Sequence, residues 1–214
     1  MKPIRSKAAA GGAALLASAA LAVSLVPGSA QATGDTAARH GGSTTTRAHL
    51  DPLNNSGAKG QAQVRTMHRR LHIDVHARGV VKGMPHAQHI HWGQTARNEC
   101  PTVAKDDTNG DFRLETLEGV PAYGPVAVSL TTRGGTAPAS GLAVDRFPTA
   151  PKGTIDYDRK TRTSKAVARA IRRGDAVVVV HGVDYNGNGM YDFDSAGASD
   201  LDPSLPAEAT DPAI

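Results

Sequence analysis

The strongest constraint on this chain is a two-residue apolar rhythm. Leu71, Ile73 and Val75 alternate with His72, Asp74 and His76, and just upstream Ala62, Val64 and Thr66 alternate with polar residues. Successive side chains of a strand point to opposite faces, so the pattern predicts a β-hairpin with one buried face, turning at His68-Arg69-Arg70. Further strand-like runs lie at Gln88–Trp92, Val126–Thr132, Gly153–Tyr157 and Ala176–His181, separated by turns such as Arg133-Gly134-Gly135. The one helical candidate is Ser164–Arg173, where Ala166, Val167, Ala170 and Ile171 share a face. Many strands, one short helix and no βαβ alternation predict an all-β fold, an antiparallel sandwich or barrel.

Residues 1–32 have the pattern of a secretory signal peptide. Lys2, Arg5 and Lys7 form a basic start, Ala8–Val26 an apolar run, and Ala30-Gln31-Ala32 a small-x-small cleavage site. Gly11, Gly12, Ser18 and Pro27 interrupt or end the run, which favours a cleaved leader over a retained anchor, and no other segment is apolar enough to span a bilayer. Loss of the leader takes three basic residues and no acids, lowering the formal charge of the 214-residue chain from +4 to +1. A nearly neutral mature chain with only 3 Phe, 4 Tyr and 1 Trp has neither the charge nor the stacking surface for nucleic acid. Export implies a secreted, extracellular protein in an oxidising compartment. With Cys100 as the only cysteine, the fold cannot rest on an internal disulfide.

From 33 to 59 the composition is that of a disordered linker, rich in Gly, Ser, Thr and Asn, so the folded domain is expected over 60–214. Within it, His89 and His91 flank Ile90. On a strand they share a face, about 6.6 Å apart, and so can converge on one ion while Ile90 packs behind them. His181 ends the apolar run Val177-Val178-Val179-Val180 and would complete a three-imidazole set, a donor type that suits copper or zinc. The alternative is surface histidines on a half-exposed strand, and a strand-end histidine bonded to backbone.

Two loops carry oxygen donors at calcium-loop spacing. Asp107, Asn109, Asp111, Glu115 and Glu118 fall at positions 1, 3, 5, 9 and 12, although Phe112 stands where glycine is usual. Asp184, Asn186, Asn188, Gly189 and Asp192 repeat positions 1, 3, 5, 6 and 9, with Ser195 at position 12. The competing account is a pair of turns whose side chains cap their own backbone. His72 and His76 share their strand's polar face with Asp74 and are explained by solvent exposure, and Cys100 has no downstream histidine near it in sequence to activate a thiol.

The run GVVKGMPHAQHIHWGQTARNEC (79–100) and the later VVVVHGVD resemble the copper-ligand segments of the Cu/Zn superoxide dismutase-like family. GMPHAQHIH and VVVVHGVDYNGNG are more similar still to secreted bacterial CHRD (chordin-type) domain proteins. The resemblance covers about 60–210 and implies a Greek-key β-sandwich, copper ligation by His89, His91 and His181, and a structural role for His86. It also implies what is missing. No histidine lies between Trp92 and Val180, so the bridging histidine and the zinc half-site are absent, and the C-terminal segment shows neither the guiding arginine pattern nor a cysteine partner for Cys100. The expected function is therefore exported metal binding, with copper foremost and calcium at the loops. The alternatives are a degenerate copper-only dismutase and a cell-envelope interaction module with vestigial histidines.

Overall fold

A computed structural model describes residues 35–40 and 42–214; the segment 1–32, for which the sequence suggested a signal peptide, lies outside the described residues. Among the described residues, eight strands form two antiparallel sheets. The first has the order β1 (Asp35–His40), β2 (Ser43–Leu50), β3 (Lys59–Met67), β4 (Arg70–Arg78), β7 (Thr154–Arg162). The second has β6 (Val126–Ser129), β5 (Gln88–His91), β8 (Val177–Val180). The expected hairpin is β3–β4, in continuous register from Lys59↔Arg78 to Met67↔Arg70. Its apolar positions Ala62, Val64, Leu71, Ile73 and Val75 are buried, with Ile155 and Tyr157 of β7 beside them. Ile90, Val128, Val178 and Val180 of the second sheet belong to the same apolar cluster, so one core lies between the two sheets, as in a β-sandwich.

The linker expectation needs correction where β2 forms. Thr44 and Leu50 are buried, Thr46 and Ala48 are half-buried, and Arg47 and His49 are exposed, so Ser43–Leu50 is an alternating strand paired with β3 from Thr44↔Thr66 to Leu50↔Gly60. Its Thr run looks like linker composition. Yet threonine is β-branched and favours a strand once one face finds a core to cover.

Helix α1 (Val103–Asp106) is a single turn, and α2 (Thr116–Tyr123), α3 (Lys165–Arg173) and α4 (Ala207–Thr210) follow. Helix α3 is the expected one, begun by the Ser164 side chain accepting from the Val167 N–H and ended by Gly174 in the left-handed conformation. Helix α2 was not expected, because Gly119 and Pro121 lower its intrinsic propensity. It is held by a capping box between Glu115 and Glu118, and by burial of Tyr123 against Val177 and Val179. Gly119 is required there, because a Cβ would run into the Tyr123 ring. No helix among the described residues is long and apolar enough to cross a membrane.

Candidate metal centre

The strand period decides which way the three histidines face. Ile90 and the alternate valines Val178 and Val180 enter the shared core, so His89, His91, Val177, Val179 and, one step beyond β8, His181 occupy the opposite face of the second sheet. The His181 N–H donates to the Ala87 carbonyl at 2.8 Å, which places this residue beside the start of β5. That face is not open to solvent. Tyr123 of α2 packs on His91 with ring centroids 4.4 Å apart, and Phe147 stands edge-on to His89 at 5.3 Å. The segment 207–214 folds back along the end of β8, with Val180 N–H donating to the Ile214 carbonyl at 2.8 Å. His89, His91 and His181 are only 4%, 2% and 2% exposed, which excludes the half-exposed surface reading.

Each imidazole spends one nitrogen on a backbone carbonyl. His89 Nε2–H donates to Gly141 O at 3.0 Å, His91 Nδ1–H to Gly124 O at 2.8 Å, and His181 Nδ1–H to Thr210 O. A carbonyl oxygen can only accept, so these bonds fix the tautomers and leave lone pairs on His89 Nδ1, His91 Nε2 and His181 Nε2. The ligand atoms of the three residues lie within 4.8 Å of one another. His89 Nδ1 faces His181 Nε2 at 3.3 Å, and His91 Nε2, fully buried, has no hydrogen-bond partner. Two lone pairs face each other with no proton between them and a third is unsatisfied, a costly arrangement in a low-dielectric interior unless a cation joins them. Carbonyl anchoring of the remote nitrogen is how metal-ligating histidines are oriented. The donor set therefore fits a metal ion.

Electrostatics keep the donors free. Burial, then the neighbouring His181 and His91, hold His89 well below its ordinary value. Burial, then His181, pushes His91 down to about 3, and burial brings His181 to about 4. The rings are neutral at physiological pH, as ligation requires.

His86 lies behind His181. Its buried ring sits with Nδ1 2.9 Å from the His181 carbonyl and Nε2 3.0 Å from the Val81 carbonyl, and the Tyr191 hydroxyl lies 3.0 Å from Nδ1. Gly182 makes this packing possible. Its φ is +109, and a Cβ would collide with the Tyr191 hydroxyl and approach His86 Nδ1 to 2.8 Å. Gly182→Ala should therefore cost about 2–4 kcal/mol from backbone strain and overpacking together, read as a lowered denaturation midpoint with an unchanged slope.

The loop residues do something else. Asp107 accepts from the Gly110 and Phe112 N–H groups, Asn109 from Asp111, and Asp111 from Arg113. Glu118 accepts from Thr108, Asn109 and Glu115. Asp184 accepts from Gly187, Asn188 and Gly189, Asn186 from Asn188, and Asn188 from Met190. Among the described residues, no carboxylate of either loop belongs to a group of three or more His, Cys, Asp or Glu donors close enough to share an ion. In the structure these side chains cap their own turns.

Sequence reasoning missed the residues that enclose the triad: the carbonyls of Gly124, Gly141 and Thr210, the Tyr123 and Phe147 rings, and Gly182. Carbonyl anchors carry no side-chain signature, and the rings come from loops and a helix remote in sequence. Cys100 is unpaired. Set beside known proteins, the chain matches no family model, no curated protein and no solved structure.

Proposed function

We propose that this chain is an exported copper-binding β-sandwich protein of the CHRD or superoxide dismutase-like type, lacking the zinc half-site, in which His89, His91 and His181 hold one ion. The observation that carries the metal reading is the set of three buried imidazoles, each tied by one nitrogen to a carbonyl and each aiming the other inward, with His91 Nε2 left without a partner. Three neutral nitrogens without a carboxylate suit copper more than calcium or magnesium, which take oxygen. The Greek-key topology and the copper assignment rest on the resemblance of the two histidine segments.

Binding is favoured over turnover by the enclosure of the site. A dismutase must admit its substrate to the ion, and ligand rings this deeply buried offer solute little access. Metal analysis of protein recovered from the native exported fraction tests the proposal. Copper at one equivalent per chain is the expected result, and a chain that leaves the cell without transition metal contradicts it.

A further inference from the structure

The outer face of the five-stranded sheet carries a second set of donors. Strands β4 and β7 pair with Asp74 directly opposite Asp158, and His72 and Asp156 lie one pleat to either side of that pair, opposite Lys160 and His76 respectively. The inward neighbours Ile73, Val75 and Tyr157 are buried in the core, so register holds the two carboxylates face to face. Like charges directly across a strand pair repel, yet the fold keeps them there.

The geometry points to a surface site for a zinc-type divalent cation, held by His72, Asp74 and Asp158 and separate from the buried histidine triad. The ligand atoms of the three side chains lie within 4.8 Å of one another. His72 Nε2 is 2.6 Å from Asp158 Oδ2 and 4.0 Å from Asp74 Oδ1, so one imidazole nitrogen already stands between two carboxylates. Two carboxylates this close repel each other, and a cation between them relieves that repulsion. A divalent ion would take the place of the His72–Asp158 hydrogen bond, and two carboxylates balance its charge. One nitrogen and two oxygens form a mixed set that zinc accepts, with a fourth position left to water. A shallow groove of about 650 Å³, lined in part by Asp74, Asp158, His76 and Asp156, gives access from solvent. Arg65 and Lys160 act on the same carboxylates and oppose uptake without blocking it. The adjacent His76–Asp156 pair, at 2.6 Å, has no third donor among the described residues and is outside the site.

The test is a zinc chloride titration of the full chain, followed by the ring resonances of the individual histidines in NMR spectra. The His72 ring should shift and saturate, and zinc uptake there should weaken at least tenfold in His72→Gln and in Asp158→Asn. His76→Gln should leave it unchanged. Asp158 is exposed and His72 is half-buried on the outer face, and a far-UV circular dichroism spectrum matching that of the wild type checks that each variant folds. The resonances of His89, His91 and His181 report the buried site independently, so failure at one site is distinguishable from failure at the other. A His72 ring indifferent to zinc, or equal weakening by His76→Gln, overturns the inference.

Discussion

Metal-free protein should lose stability steeply as the pH falls from 7 toward 4. In the unfolded chain each histidine protonates near 6.5, whereas in the folded state His181 resists protonation to about 4, His91 to about 3, and His89 is held well below its ordinary value. Below pH 6.5 the unfolded state thus binds protons that the native state refuses, and the equilibrium moves toward unfolding until the folded-state values are reached. His181 alone contributes a loss on the order of 3 kcal/mol by pH 4. His91 adds a loss of similar size and His89 acts in the same direction, against a whole net stability for a domain of about 5–15 kcal/mol. Thermal melts of the metal-stripped chain between pH 7.5 and 4.5 should fall by tens of degrees, and bound metal should delay the fall because it competes with protons for the same lone pairs. A melting temperature flat across this range contradicts the buried neutral triad.

Removal of one ligand should have the second large effect. His91→Gln retains a side chain of similar reach but lacks the imidazole that bonds Gly124 O on one side and presents Nε2 to the site on the other. Copper affinity should fall more than about 100-fold, since perturbing even a residue behind a ligand costs 10- to 100-fold. His181→Gln should match it. His76→Gln, on the outer sheet face with its ring near Asp156, should not change copper affinity at the buried site. Affinity retained in both ligand variants would assign the copper to another part of the chain.

How much of this was legible in the sequence follows from how local each determinant is. The β3–β4 hairpin and α3 were readable because their periods lie in contiguous residues and their caps in single side chains, as with Ser164. The shared direction of His89 and His91 followed from the strand period alone. Strand β2 was not readable, since its Thr-rich face becomes a core face only once β3 pairs with it. Helix α2 was hidden by Gly119 and Pro121, which local propensity penalises and the packing of Tyr123 compensates. The oxygen-donor spacing of the 107–118 and 184–192 loops was readable. Spacing does not reveal that the same oxygens accept from neighbouring backbone N–H groups. The enclosure of the triad is a product of tertiary structure, because the carbonyls of Gly124, Gly141 and Thr210 reach the three rings from separate segments.

In the proposed centre, three imidazole nitrogens from β5 and the end of β8 bind one ion. X-ray absorption at the copper edge of the copper-loaded full chain tests it most directly. The expected coordination sphere has three imidazole nitrogens, from His89, His91 and His181, and no sulfur, and it loses one imidazole in His181→Gln. A shell of oxygens alone, a sulfur from Cys100, or a spectrum unchanged by His181→Gln would contradict it.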